Sequence, residues 1–181
     1  MPATSRTGSR PPATSDPPLR RSPVAADACN LARSFELIGD RWTLLVLRSA
    51  LYGVRRFADL QADLGAPRSI LSNRLAALVE NGLLELRDYR DEGQRVRSEY
   101  VLTEMGRTLA LPFMAMTAWG DRWLGGGKGP LLLKSTKSGQ AVRVAYVDEK
   151  GRAIAPADVG FEIAKTVAPA RRTSRNAGRR K

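Results

Sequence analysis

Apolar residues in the middle of the chain recur at helical spacing and predict two short helices joined by a turn. In the first helix, Phe57, Leu60 and Leu64 stand at positions i, i+3 and i+7, and Gly65 is placed to end it in a left-handed conformation. The second helix ends at Gly82. Its apolar residues share one flank: Leu71, Leu75, Leu78 and Val79.

The opposite flank of the second helix carries short side chains: Ser69, Ser72, Asn73 and Ala76. A helix with no function beyond its fold normally presents Glu and Lys to solvent. Short hydrogen-bonding side chains instead allow close approach to base edges in the major groove of DNA. The flank therefore favours a recognition helix in which the two serines and the asparagine contact bases. An ordinary amphipathic helix with a short polar face is the alternative.

Alternating residues after the second helix predict a two-stranded hairpin. LLELRDYR and SEYVLT supply the strands, and DEGQRVR turns the chain with Gly93 at its tip. The hairpin carries arginines suited to phosphate contact or to entry into the minor groove: Arg90, Arg95 and Arg97. Alternatively, the hairpin is only solvated, and the arginines pair with the acids beside them: Asp88, Asp91 and Glu92.

Strongly apolar segments on both sides of this region predict further helices. LARSFELIG and DRWTLLVLRSALYG precede it and hold more apolar surface than one stripe needs, which predicts burial on several sides. EMGRTLALPFMAMTAWGDRWLG follows it, with Thr103 as N-cap and a kink at Pro112, because proline removes a backbone donor. The long apolar side of this last helix needs a cover.

Missing residue types narrow the function. The chain has no histidine and one cysteine, which excludes Ser-His-Asp and Cys-His catalysis, histidine-based metal sites and a four-ligand zinc site. It has no P-loop and no dinucleotide-binding glycine motif, and GGGKG lacks the flanking strand and helix of a phosphate loop. An enzyme that works through carboxylates or lysine stays open as an alternative, but nothing in the sequence pairs such residues. We predict no catalytic site, no metal and no cofactor, and no enzyme.

Charge is spread unevenly along the 181 residues. The net charge of +12 favours a nucleic-acid partner. Residues 29–124 hold 13 basic and 12 acidic side chains, whereas residues 165–181 hold seven basic and no acidic ones. This tail would raise nonspecific affinity for DNA, or else serve only as a disordered solubility tail.

Composition divides the chain into five segments: 1–28, 29–124, 125–129, 130–164 and 165–181. The first and last are expected to be disordered, because they lack apolar residues to bury. The second is the domain formed by the predicted helices and their hairpin, which serves as a wing beside the second helix. The third is a Gly-rich linker and the fourth a small β-rich appendage. In the appendage, Val142, Val144 and Tyr146 alternate with Arg143, Ala145 and Val147 and predict a hairpin strand.

No stretch of the chain approaches the roughly 18 uninterrupted apolar residues of a membrane span, and no apolar signal-peptide run follows Arg20 and Arg21. The single cysteine allows no intrachain disulfide. We expect a soluble cytoplasmic protein with no membrane partner.

Four motifs in a fixed order, GDRWTLL, GVRRF, ILSNRL and EYVLT, give residues 29–124 a specific resemblance to the HxlR family of bacterial winged helix-turn-helix transcriptional regulators. The expected fold is α+β, mainly α, a winged helix-turn-helix with flanking dimerisation helices and a small C-terminal β-hairpin. The resemblance implies a homodimer that binds double-stranded DNA sequence-specifically at a palindromic operator, often as a repressor, and responds to a small-molecule effector or an oxidative signal.

The resemblance also implies that the first and last helices pair across a twofold axis, which sets the spacing of two recognition helices. Packing within one subunit is the alternative. The candidate interface residues are Phe35, Trp42, Phe113, Met116, Trp119 and Trp123.

Arginines around the predicted recognition helix are assigned to DNA phosphates. Arg68 and Arg74 lie at its margins. Arg55 and Arg56 precede the supporting helix, and Arg95 and Arg97 are the wing contacts. Arg74 has an alternative role in a structural ion pair with Glu80 or Asp59.

Cys29 directly precedes the first predicted helix, where unpaired backbone donors and the helix dipole favour a reactive thiolate. Many regulators that resemble this chain carry a cysteine there, which makes Cys29 a candidate redox sensor. The alternative is a small buried apolar residue without reactivity.

Two other classes of function stay open. A nonspecific or architectural DNA-binding protein would lose most of its binding with residues 165–181. A protein-interaction module that keeps the winged shape would show no salt-dependent binding to any duplex.

Overall fold

The computed structural model describes residues 22, 24–91, 93 and 95–162. They belong to two compact units. One unit spans residues 33–144, and the other contains the described residues up to 32 and from 145 onward. Most of the predicted N-terminal segment and the whole basic tail lie outside the described residues.

The helix-turn-helix is formed by α3 (Phe57–Leu64) and α4 (Arg68–Glu80). Gly65 has a φ of +60° and its N–H donates to the carbonyl of Gln61, so α3 ends where the sequence predicted. Gly82, with a φ of +71°, turns the chain after α4. Two earlier helices, α1 (Asn30–Ile38) and α2 (Arg41–Leu51), precede this pair.

The wing is an antiparallel hairpin of β1 (Leu84–Tyr89) and β2 (Arg97–Leu102), paired from Leu84 with Leu102 to Tyr89 with Arg97. The backbone N–H of Tyr100 donates to the carbonyl of Arg55 at 2.8 Å. The segment that leads into α3 is therefore fastened to β2, which sets the wing's position beside the helix-turn-helix.

The core lies between α2, α3, α4 and the first residues of the wing. Its fully buried side chains are mostly leucines at the predicted positions: Val46, Leu47, Leu60, Leu71, Leu75, Leu78, Leu83 and Leu84. One polar pair lies at its edge, where the buried Ser49 hydroxyl of α2 donates to the carboxylate of the exposed Asp63 of α3 at 2.5 Å. Apolar burial thus supplies most of the stabilisation, and the hydrogen bond fixes how α2 and α3 align.

The last apolar segment is two helices, α5 (Glu104–Thr108) and α6 (Ala110–Trp123), where one kinked helix was predicted. Thr103 caps α5 as expected, accepting from the N–H of Gly106 at 3.1 Å. The interruption predicted from Pro112 is present as a full break at Leu109, one turn before the proline, because Pro112 has no N–H to donate to the Thr108 carbonyl and its ring would crowd that carbonyl. Pro112 is the third residue of α6, where a backbone N–H has no partner within the helix and its loss costs little.

The C-terminal end of α6 turns through the glycine run 125–129. The N–H of Gly127 donates to the carbonyl of Asp121 at 2.8 Å, and that of Gly125 donates to Gly120 at 3.0 Å. Residues 130–144 follow in the same unit, with a bridge between Lys134 and Ala141.

A short hairpin of β3 (Tyr146–Val147) and β4 (Ala153–Ile154) belongs to the second unit. Its turn is organised by Asp148, whose pKa is lowered by hydrogen bonds from the backbone and side chain of Arg152. The predicted strand was too long at its start. Val142 instead donates its N–H to the carbonyl of Leu133 at 3.0 Å, so Val142 and Val144 lie before the strand.

Candidate nucleic-acid interface

The solvent-facing flank of α4, hereafter the α4 surface, consists of Ser69, Ser72 and Asn73. All three side chains are exposed. The opposite flank carries leucines that are fully buried, so the amphipathic pattern fixes which side of α4 faces out. Among the described residues of this unit, none covers the side chains that could approach a DNA groove.

Arg68 stands at the N-terminal end of α4, beside the α4 surface. Its side chain is exposed and its guanidinium carbon lies 5.2 Å from the centre of the Phe57 ring. The ring contact holds the cation near the first turns of both α3 and α4 and leaves its N–H donors accessible.

Arg74 makes a contact between helices that the sequence did not reveal. Its Nε lies 3.0 Å from Oδ1 of Asp40, so both predicted alternative partners, Glu80 and Asp59, are wrong. Asp40 also caps α2 by accepting from the N–H groups of Trp42 and Thr43. Asp40 therefore joins the start of α2 to the middle of α4.

The hydrogen bond from the Thr43 N–H and the charge of Arg74 both lower the pKa of Asp40 below its ordinary value, the hydrogen bond having the larger effect. The Asp-Arg-Trp-Thr sequence marked Asp40 as a possible helix cap. No local pattern could have paired it with Arg74, because the two residues are 34 positions apart and meet only after α2 packs on α4.

Arg55 and Arg56, which precede α3, both engage acids near the wing. Arg55 Nη1 lies 3.6 Å from the Glu99 carboxylate. Arg56 Nη2 lies 2.9 Å from Asp91 Oδ1, and its guanidinium carbon sits 4.2 Å from the centre of the Tyr89 ring. The hydrogen bond with Asp91 raises the pKa of Arg56 above its ordinary value, so its charge is permanent.

The wing arginines Arg95 and Arg97 are exposed. Over the part of the chain that the structure describes, neither forms an ion pair. The alternative was that the hairpin arginines pair with the acids beside them. Two of those acids have other partners, since Asp88 accepts from the Ser98 hydroxyl at 3.0 Å and Asp91 forms an ion pair with Arg56. Glu92 lies outside the described residues.

Exposed apolar side chains characterise α1 and α6, and neither helix contains a buried residue. This differs from the burial on several sides predicted for the first helices, because only α2 is enclosed by the core. Phe35 is 48% exposed, and the exposed fractions of Met116, Trp119 and Trp123 are 53%, 59% and 53%. The other two candidate interface residues, Trp42 and Phe113, are half-buried against the core.

The family model described as HxlR-like helix-turn-helix matches residues 37–127, about half of the chain and all of the elements from α2 to α6. The chain belongs to this family.

A curated relative is the uncharacterised HTH-type transcriptional regulator Rv3095 of Mycobacterium tuberculosis, 46% identical over 101 residues. The match covers 56% of this chain and spans 63% of the relative's length.

Two solved structures share the fold. The crystal structure of PA1607 matches with a TM-score of 0.61 at 32% identity. The match covers 75% of this chain and 94% of the PA1607 chain. The structure of PA1374 from Pseudomonas aeruginosa has a TM-score of 0.52 at 33% identity and covers 77% and 95%. The mainly α winged helix-turn-helix predicted from the sequence is thereby confirmed.

Cys29 in this HxlR-like chain lies between a 3-10 turn, Ala26–Ala28, and α1. It is half-buried, and its N–H donates to the carbonyl of Ala26 at 3.2 Å. Its position before the first helix agrees with the prediction.

Neither a metal cluster nor a membrane-length helix occurs in the described ranges. No group of three or more Cys, Asp or Glu side chains there could hold a metal ion. No helix there is long and apolar enough to cross a bilayer.

Proposed function

We propose that this HxlR-like chain is a transcriptional regulator that binds duplex DNA sequence-specifically, with α4 in the major groove. The observation that carries the proposal is the α4 surface: three short, exposed hydrogen-bonding side chains on the outer flank of the second helix of a helix-turn-helix. Serine and asparagine side chains read base edges, and asparagine can bond adenine through two contacts.

The arginines have different parts in this proposal. Arg68, Arg95 and Arg97 are exposed and bind phosphates or the minor groove, which sets the register on DNA. Arg55 contributes to phosphate binding through its long, weak contact with Glu99. Arg56 and Arg74 already hold carboxylates within 3.0 Å, so their contribution to DNA binding is mainly to hold the wing and α4 in position.

We further propose that two copies pair through the apolar faces of α1 and α6. A fully buried aromatic side chain removes roughly 150–250 Å² from water, and Phe35, Trp119 and Trp123 leave about half of their surface exposed, so each can still bury about half of that area. A second copy supplies a matching face by symmetry. Two α4 helices would then read half-sites about one helical turn apart in a palindromic operator. Repression is the proposed mode of action, as in the regulators that the sequence resembles.

The proposal is tested by selecting genomic fragments with purified protein and measuring affinity for the enriched duplex by fluorescence anisotropy. We expect a palindromic sequence, a steep loss of affinity with added salt, and a preference over random duplex of about 1000-fold or more. Removing residues 165–181 should lower affinity for both duplexes and keep the preference. Loss of nearly all binding after this truncation would instead identify an architectural protein driven by its tail.

Cys29 is our candidate for the oxidative input. A thiol-oxidising reagent should weaken operator binding by the native chain and leave Cys29→Ser unaffected, with anisotropy as the measurement. An equal response of both proteins would remove Cys29 from the account.

A further inference from the structure

A cavity of about 410 Å³ lies where the end of α2, strand β2 and the start of α6 meet. Its wall is largely apolar, with Leu51, Val101 and Leu102 among the lining residues. Sites for small molecules usually occupy about 300–1,000 Å³. Two grooves along α6, of about 250 and 280 Å³, fall below that range.

Two arginines line this otherwise apolar cavity, and no acidic residue does. Arg107 Nη1 donates to the carbonyl of Leu102 at 2.6 Å, which fixes the side chain. Among residues of the described ranges, no carboxylate forms an ion pair with Arg107. The second arginine, Arg55, faces the Glu99 carboxylate at 3.6 Å. Both arginines are also exposed, so they stand on the open side of the cavity, which carries about one positive charge that no carboxylate of the described residues balances.

We propose that this cavity binds a small monoanionic carboxylate with an apolar body. The planar guanidinium of Arg107 retains free N–H donors, and a carboxylate matches their geometry with two parallel hydrogen bonds. The apolar wall stabilises a hydrocarbon or ring portion by removing it from water. A phosphate dianion fits less well, since it would bring one charge more than the cavity balances and no apolar surface to bury.

The cavity touches the junction that positions the wing. Tyr100 lines the cavity, and its N–H is the donor that fastens β2 to the carbonyl of Arg55, two residues before α3. A bound molecule would contact both sides of this junction, and in this way a carboxylate would alter how the wing meets DNA. The regulatory consequence rests on the proposed function, whereas binding to the cavity does not.

Binding is tested on the full chain by calorimetry, with benzoate as the probe, benzamide as its neutral match and inorganic phosphate as the alternative anion. We expect one saturable benzoate site per chain and affinities about tenfold or more weaker for the other two. Absence of saturable benzoate binding would overturn the proposal. Equal affinity for benzamide would remove the role of the charge, and equal affinity for phosphate would contradict the carboxylate class.

Variants locate the binding site. Arg107→Gln should weaken benzoate binding about tenfold or more, while Arg95→Gln, which removes an exposed wing arginine outside the cavity, should leave it unchanged. Ala110→Leu fills the cavity and keeps both arginines, so it decides the question if Arg107→Gln does not fold by circular dichroism. Unchanged binding in Ala110→Leu, or equal loss in the two arginine variants, would contradict the assignment.

Anisotropy with operator DNA separates this inference from the proposed function. Benzoate should change operator affinity of the native chain and have no such effect on Ala110→Leu. A chain that binds benzoate in calorimetry and no duplex at any salt concentration would contradict the proposed function and leave the cavity assignment intact.

Discussion

The helix-turn-helix and the helices on either side of it cover their apolar residues differently. Leu60 of α3 and the α4 leucines Leu71, Leu75 and Leu78 are buried within one chain. The apolar residues of α1 and α6 stay largely exposed, and neither helix has a buried residue. The helix-turn-helix thus covers its apolar residues within one chain, whereas α1 and α6 expose theirs, which is the feature that the proposed dimer would cover.

The largest effect is expected on the stability of the helix-turn-helix, whose apolar residues are buried within one chain. Leu75→Ala removes a fully buried side chain from α4 and should lower the free energy of unfolding by about 2–5 kcal/mol, measured by urea denaturation. Ser72→Ala, three residues earlier on the exposed flank, should change it by less than about 0.5 kcal/mol. Similar losses in both variants would show that α4 is not oriented as described.

A substitution on the exposed face of a flanking helix should weaken the association of two chains more than it lowers the stability of one chain. Trp119→Ala removes an exposed aromatic from α6 and should raise the dimer dissociation constant about thirtyfold, measured by sedimentation. Leu132→Ala, also highly exposed but outside α1 and α6, is the matched control and should have no effect. A native chain that sediments as a monomer throughout the micromolar range would contradict the dimer.

The ion pair of Asp40 with Arg74, which joins the start of α2 to α4, should contribute less to the free energy of unfolding than the core does. Asp40→Asn keeps a side chain that can cap α2 and loses the charge that faces Arg74, whereas Asp40→Ala loses both. We expect Asp40→Ala to lower the urea midpoint more than Asp40→Asn, and both less than Leu75→Ala. If Asp40→Asn matches the native chain, the ion pair with Arg74 does not stabilise the fold.

The stability of the fold at acid pH should test the same contact between Asp40 and Arg74. The pKa of Asp40 in the folded chain lies below its ordinary value of 3.8, so its stabilisation is present above that value and is lost as the pH falls through the folded-state pKa. Stability of the native chain should therefore fall more steeply between about pH 5 and pH 2 than that of Asp40→Asn. Asp148 also has a lowered pKa and stays in both proteins, so the slope of the variant should be reduced without vanishing.

The spacing of apolar residues and the positions of glycines predicted the helices of this fold, their buried flanks and their ends. The spacing of Leu71, Leu75 and Leu78 identified the buried flank of α4, and the glycines after each helix marked where the helices end. The exposed α4 surface followed directly from the same spacing. These features depend on residues within a few turns of one another.

Features that depend on tertiary packing were missed or misplaced. The packing of α5 against β2 was not indicated by any local pattern. A Cβ at Gly106 would clash with the carbonyl of Leu83, so this position requires glycine. The cavity beside Arg107 was missed for the same reason, since its lining residues come from distant parts of the sequence.

The central claim is that the α4 surface reads bases, and Asn73→Ala tests it most directly. Operator selection should be repeated with this variant and the base preference at each position compared with that of the native chain, using Thr136→Ala as a control outside the wing and helix-turn-helix. The account predicts relaxed preference at one position in each half-site, at a cost of about 1–3 kcal/mol of discrimination. An unchanged preference profile, with affinity lowered equally for all sequences or not at all, would contradict it.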